Sequence, residues 1–254
     1  MRERPAALPA AVQILIGIAA AIAAWWALTA ALALPHYVLP SPWRVALAFV
    51  EKAPMLARNT AVTALEIGLG LLFGVAIGVA TALGVAASPL ARRLVLPVIV
   101  VSQTLPVFAI APLLVVWLGY GLASKIVMTV LIIYFPIATA YAEAMLRLPR
   151  ELIDLARLNG ASARQLLFIV RAPGGLPGLA AGTRVAATVA PIGAVVGEWV
   201  GASQGLGYVM LHANARLQTD TLFAALICLA ILALLVRLAV DKALDALVPF
   251  QRSS

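Results

Sequence analysis

The chain has 254 residues, of which 64% are hydrophobic and 11% charged, and 18 Lys and Arg against 10 Asp and Glu give a net charge of +8. Soluble domains carry about 25% charged residues, so this chain lacks the polar groups to cover a water-facing surface, and its mean hydropathy of +1.06 agrees. A water-soluble globular domain is excluded, and a polytopic membrane protein is indicated.

No Lys, Arg, Asp or Glu occurs from Pro5 to Trp43, Ile67 to Ala91, Leu94 to Ser124 or Ile126 to Ala142. A helix needs about 20 residues to cross about 30 Å of hydrocarbon. After a cytoplasmic N-terminus over 1–10, a transmembrane domain is expected over 11–250. Its six predicted spans lie at about 11–34, 62–86, 95–118, 124–146, 177–200 and 221–246. The first apolar run, Ala10 to Leu34, exceeds the roughly 7–15 residues of a signal h-region, so it reads as a retained anchor. An amphipathic helix is expected within 35–61, turns at 87–94 and 119–123, a basic loop at 147–175 and a Gly-rich segment at 201–220.

With the N-terminus inside, 12 of the 18 basic residues lie on the inner side. Arg44, Lys52, Arg58, Lys125 and Arg216 lie outside, and Arg184 falls within the fifth span. The positive-inside rule therefore puts both termini and the basic loop in the cytoplasm. The charge is read as a topology signal, not as a nucleic-acid surface. Cys228 stands alone, so neither a disulfide nor a thiol metal site is expected.

Gly70, Gly74 and Gly78 in the second span, and Gly193, Gly197 and Gly201 in the fifth, place small residues on one helix face every four positions. In lipid this permits close backbone approach. Pro106 and Pro112 in the third span and Pro191 in the fifth remove backbone donors and predict kinks. Irregular backbone at membrane depth is tolerated only against protein or a wet cavity. The prolines therefore mark either a lined pathway or kinks in the core. Lys125, Glu143, Arg237, Asp241 and Lys242 fall near span ends, within reach of water. Glu66, Arg184 and Glu198 fall deeper; each is a candidate functional residue, or a member of a structural ion pair. Arg184 can also snorkel toward the inner surface.

The loop holds Arg147, Arg150, Arg157, Arg164 and Arg171. Pro149 suits a first helical turn, and Glu151 and Asp154 favour the positive end of the helix dipole. Leu152, Leu155 and Ala156 form one face of that helix, and Asn159-Gly160 predicts a left-handed stop. Ser162-Ala163-Arg164-Gln165 is a capping box for a second helix, which Pro173-Gly174-Gly175 is expected to end.

Asp154-Leu155-Ala156, Gly160 and Val170-Arg171-Ala172-Pro173 resemble the cytoplasmic EAA loop of bacterial ABC importer permeases, with Asp in place of the usual Glu. The resemblance runs from about Tyr37 to Phe250. Tyr37-Val38-Leu39-Pro40-Ser41-Pro42, Trp117-Leu118-Gly119-Tyr120-Gly121 and Gly197 to Tyr208 look like the nitrate/sulfonate/taurine-type branch. Ala190-Pro191-Ile192-Gly193-Ala194-Val195-Val196-Gly197-Glu198-Trp199 and His212-Ala213-Asn214-Ala215-Arg216 are most similar to permeases for pyrimidine precursors of thiamine. The implied fold is an all-α, six-helix, type I importer (MetI-like) domain in the bacterial inner membrane. The implied partners are a second permease copy, two cytoplasmic ATPase subunits and an extracytoplasmic binding protein.

Coupling to the ATPase would fall to Arg150, Glu151, Asp154, Leu155, Ala156, Arg157 and Gly160. Candidate pathway residues are Gln103 and Thr104 beside Pro106, with Glu66 and Glu198. The chain has no Gly-x4-Gly-Lys-Ser/Thr phosphate loop, so it is not expected to be an enzyme. No cofactor or metal is expected on it, and ATP belongs to the partner. Nitrate, sulfonate/taurine or a riboflavin-like solute are the alternative cargoes.

Three rival readings are weaker. A DNA-binding helix-turn-helix fails because Leu166-Leu167-Phe168-Ile169-Val170 is too apolar to read a groove. An intramembrane serine protease is suggested by Gly201-Ala202-Ser203-Gln204-Gly205 with His212, but a flexible turn explains that pentapeptide. A secondary transporter or channel would call for more buried charge or an internal repeat.

Overall fold

The computed structural model describes residues 9–32, 35–104 and 106–247. Arg2, Arg4, Arg252 and the end of the first expected span at 33–34 lie outside them. The described residues are helical, with no strand among them. In chain order the helices begin with α1 (Ala10–Ala31), α2 (Pro42–Glu51), α3 (Ala53–Ala87), α4 (Pro89–Thr104), α5 (Val107–Leu118), α6 (Leu122–Leu146) and α7 (Arg150–Leu158). A composite segment follows: α8 (Ala163–Gln165), a π-helix (Leu166–Arg171) and α9 (Ala172–Gly174). The chain closes with α10 (Leu176–Gly201), α11 (Leu206–Ala215) and α12 (Thr219–Leu247).

α3, α6, α10 and α12 are long and apolar enough to cross a bilayer, while Leu15–Ala31 and Val107–Leu118 are shorter apolar helices. α3 has 35 residues, about 50 Å at about 1.5 Å per residue. That exceeds about 30 Å of hydrocarbon, so its first turns, expected in the polar 35–61 segment, extend past the membrane core. The segment expected as one span at 95–118 is two helices. α4 already starts at Pro89, through the residues expected as a turn, because Pro89 suits a first turn and Leu90 to Val95 hold no helix breaker. The Gly-rich 201–220 segment contains α11, since only its first turn, around Gly205 at φ 115°, needs glycine.

The stop expected at Pro173 does not occur. The Ala172 N–H bonds the Leu167 carbonyl, five residues back, and this wide turn accommodates the proline that an α-helix would reject. The backbone continues through Gly175 in the right-handed helical region and into α10.

The core is built on α6, with α3 along one side and α10 along another. The glycine faces make this possible. A Cβ on Gly74 would lie 2.6 Å from Ile133 Cγ1, and one on Gly193 would lie 2.7 Å from the Thr129 Cα. Gly70 and Gly193 both face Thr129, so that one residue of α6 touches both neighbours. Buried Ile67, Ile133, Ile137, Ala186, Ala190 and Ala194 complete the seam. α1 is peripheral and largely exposed; Trp25 stacks on Phe223 of α12 with ring centroids 5.6 Å apart.

The glycine contacts rank their substitutions. Gly193→Ala meets backbone that cannot yield, whereas Gly74→Ala meets only side-chain atoms of Ile133, and a Cβ on Gly68 meets nothing within 4 Å. Overpacking typically costs about 1–3 kcal/mol, so thermal stability in detergent should fall most for Gly193→Ala, less for Gly74→Ala, and not at all for Gly68→Ala.

Candidate functional site: the helix break, the buried clasp and the basic loop

Pro106 separates α4 from α5, with φ −65° and ψ 106°. Its missing N–H cannot bond the carbonyl one turn back, so α4 ends there. Gln103 and Thr104 form the last residues of α4; their side chains, and Leu105, lie outside the described residues. Beside the break is a cleft of about 310 Å³ lined by Ser102, Val107, Ile110, Ile132, Tyr134 and Phe135, among others. Among the sequence candidates, Pro106 is thus placed beside a cavity.

Glu66 and Glu198 are brought to a different place, and to each other. Asn59, Thr63 and Glu66 follow one face of α3, one helical turn apart. Glu66 is 0% exposed and Glu198 1%. Lys125, at the start of α6, places its Nζ 2.9 Å from Glu66 Oε1. Glu198, near the end of α10, lies within interaction range of Glu66. Its Oε1 accepts a 2.6 Å hydrogen bond from Thr63 Oγ1, while its Oε2 accepts from the Gly207 and Tyr208 N–H groups. Those are the first-turn donors of α11, so Glu198 caps that helix and meets the positive end of its dipole.

The remaining donors of the turn are also satisfied. Thr63 Oγ1 accepts from Leu206 N at 2.9 Å, and Asn59 Oδ1 accepts from Gly205 N at 2.7 Å. A side chain at Gly205 would run into the Glu198 carboxyl. The clasp therefore ties α3, α6, α10 and the 202–207 turn into one unit. Lys125 does not reach water, contrary to its expected place near a span end: it is 7% exposed, covered by α10 at Gly197. Thr63 and Asn59 escape sequence reasoning because Thr and Asn are unremarkable near a helix end. Their spacing of four and then three residues leading to Glu66, one helical face, is the signal that could have found them.

Nearer the opposite end of α10, Arg184 enters an ion-pair network and stays partly exposed. It binds Asp241 at 3.0 Å and Asp245 at 3.1 Å on α12. Arg237 joins the network through Asp241 at 2.8 Å and donates to the Arg184 carbonyl.

The basic loop is presented from the same end. α7 has no buried residue, and Leu152, Leu155 and Leu158 are 45%, 57% and 86% exposed. Arg150, Glu151, Asp154 and Arg157 are exposed and Ala156 partly so; Arg157 lies 3.6 Å from Asp154. Gly160 ends the helix at φ 80°. The Ala161 N–H reaches the Ala156 carbonyl and the Gly160 N–H the Arg157 carbonyl, a Schellman closure. Ser162 Oγ accepts from the Gln165 N–H, and Gln165 Oε1 accepts from the Ser162 N–H at 2.8 Å.

The clasp makes its own prediction. Removing one partner of a buried ion pair costs about 3–5 kcal/mol, whereas removing both can be nearly neutral. Lys125→Met should therefore lower the detergent unfolding temperature sharply, and Glu66→Gln in the same chain should recover most of the loss.

Residues 70–253 match the family described as binding-protein-dependent transport system inner membrane component. A probable ABC transporter permease protein of Haemophilus influenzae is 50% identical over 85% of this chain and 89% of its own length. The formylaminopyrimidine transport permease protein ThiX of Halalkalibacterium halodurans is 32% identical over 89% of this chain and 91% of its own. Among solved structures, a chain of the inward-facing MetNI methionine ABC transporter superposes with a TM-score of 0.66 at 24% identity, covering 77% of this chain and 97% of that one. The α7 loop, the six apolar segments and the permease fold thus have one origin: the chain belongs to the binding-protein-dependent transport system inner membrane components, as the membrane-spanning permease subunit of an ABC importer for a small solute, with ATP hydrolysis in a separate subunit.

Proposed function

We propose that this permease passes a pyrimidine precursor of thiamine across the inner membrane, as one of two copies driven by cytoplasmic ATPases through α7. The exposed Leu152/Leu155/Leu158 face carries the coupling part of this reading. An amphipathic helix of nine residues that buries none of its apolar face in its own chain has a surface suited to a partner's groove. Arg150 and Arg157 at its rim suit electrostatic steering. The chain itself binds no cofactor in this account, and ATP is held by the partner. Both termini and the loop face the cytoplasm, as the basic residues favour.

The cargo reading is supported by the ThiX relative, similar over 89% of this chain. The competing cargoes come from relatives too. The riboflavin permease RibX of Chloroflexus aurantiacus is 43% identical, but over 54% of this chain, and the taurine permease TauC of Escherichia coli is 29% identical over 92%.

Solute passage is assigned to the cleft at the Pro106 break, with Gln103 and Thr104 at its edge. Glu66, ion-paired with Lys125, and Glu198, which accepts from Thr63 and the start of α11, are assigned in this reading to holding the outer ends of the spans together, apart from the cargo path. A substituted-cysteine scan of 102–108 in the assembled importer should find positions whose labelling changes with ATP; uniform inaccessibility would move the pathway elsewhere.

The coupling helix and the cargo are separable in proteoliposomes holding the permease, its ATPase and its binding protein. Burying one Leu is worth about 1.5–3 kcal/mol, so Leu155→Glu with Leu158→Glu should cut ATP-driven uptake at least roughly tenfold while membrane insertion persists. Gly160→Val, which no side chain opposes but whose φ of 80° excludes a β-branched residue, should do the same. Wild-type uptake by either variant would refute the coupling assignment. Uptake of labelled aminopyrimidine, competed by neither taurine nor riboflavin, is the expected cargo result; transport of taurine instead would overturn the cargo and leave the coupling intact.

A further inference from the structure

Where α3 turns into α4, two arginines sit together with unanswered donors. Arg171, the last residue of the π-helix, crosses to the end of α3 and donates from Nη1 to the Ala86 carbonyl at 2.7 Å. Its Nε is buried and has no acceptor, and the Nε of Arg92, on the first turn of α4, is buried and unanswered in the same way. Among the described residues neither guanidinium takes part in an ion pair with Asp or Glu. Burial, together with the nearby charges of Arg92 and Arg157, pulls the Arg171 guanidinium below its ordinary pKa. Both side chains are partly buried, and placing like charges together with a buried N–H of each unanswered is unfavourable unless something supplies the missing acceptors.

The framework around the pair is rigid. Leu167 of the π-helix is buried in a cluster with Val85 and Ala86 of α3, and Val95 and Leu96 of α4 pack on it. The two guanidinia are therefore held by packed helices. A planar guanidinium fork matches the oxygens of a phosphate group. The surroundings indicate the source of that phosphate. Leu90 and Leu94 on α4 are 65% and 61% exposed, and Phe168 and Ile169 on the π-helix 53% and 68%. Apolar side chains open to the outside on both flanks of a cationic pair suit acyl chains beneath a headgroup. A freely soluble anion has no use for them.

We infer that Arg92 and Arg171 form a site for the phosphate of an anionic phospholipid, seated at the α3–α4 turn against the π-helix, with its acyl chains along Leu90 and Leu94. The lipid would supply acceptors to both Nε–H groups and fasten the root of the basic loop to α3 and α4. The site is independent of which solute the permease carries.

Native mass spectrometry of the full-length chain in detergent tests this, with phosphatidylglycerol or phosphatidylcholine of the same acyl composition added, and inorganic phosphate as competitor. The expected result is retention of phosphatidylglycerol over phosphatidylcholine. A basic residue at a membrane surface contributes about a fivefold preference, so Arg92→Gln and Arg171→Gln should each weaken retention by roughly that factor. Arg93→Gln, an exposed neighbour, should change it less than about twofold. Equal retention of the two lipids, or an equal loss with Arg93→Gln, would overturn the site. Displacement of the lipid by inorganic phosphate would make it a free-anion site and overturn the assignment to lipid. Should the Gln variants misfold, Arg92→Lys and Arg171→Lys keep the charge but lose the fork. Reduced but selective retention by these variants supports the site, and undiminished retention reduces it to diffuse surface charge.

Discussion

The backbone of α6 runs within van der Waals reach of two other helices, and the rest of the bundle follows from that approach. Gly70, Gly74 and Gly78 bring α3 onto Thr129, Ile133 and Ile137, while Gly182, Gly193 and Gly197 bring α10 onto Pro136, Thr129 and Lys125. Within a bilayer, apolar attraction gives helices little reason to associate, so contact of this closeness supplies the cohesion through dispersion. The clasp of Lys125, Glu66, Glu198 and Thr63 closes the same seam at one end. The salt-bridge network of Arg184, Arg237, Asp241 and Asp245 joins α12 to α10 nearer the other. Polar groups thus sit at the ends of the seam, and small residues fill its length.

This arrangement bears on transport. A packed three-helix unit, pinned by buried charges, is built to move as a body, because packed seams of this kind have discrete arrangements and do not deform smoothly. α7 hangs from that unit between α6 and α10. Motion imposed on α7 would therefore be passed to the spans directly, while the α4–α5 break beside Pro106 lies outside the contacts that Gly70, Gly74, Gly78, Gly193 and Gly197 make with α6.

Much of this was legible in the residues. The uncharged runs located the apolar segments, the glycine triplets foretold the close faces, and Asn159-Gly160 with Ser162-x-x-Gln165 described the caps of the loop. What stayed hidden depended on tertiary contact. Lys125 sits near a helix start and reads as a residue that can reach water; only the approach of α10 at Gly197 covers it. Glu66 and Glu198 read as candidate pathway residues because burying a carboxylate is costly; that they lie beside each other could not be read, since they are far apart in the chain. Pro173 reads as a terminator, since a π turn leaves no mark in local sequence. Arg92 and Arg171 look like ordinary inner-surface charges until the fold sets them together.

The most direct measurement is of distances in the assembled importer before and after ATP binding, by spin labels at Leu158 on α7 and at an exposed position on α3. In the proposed two-copy importer the distance within one chain should stay fixed while the α7-to-α7 distance between the copies shortens. A change in the distance within the chain, with the copies staying apart, would contradict rigid transmission from α7 through the α3–α6–α10 unit.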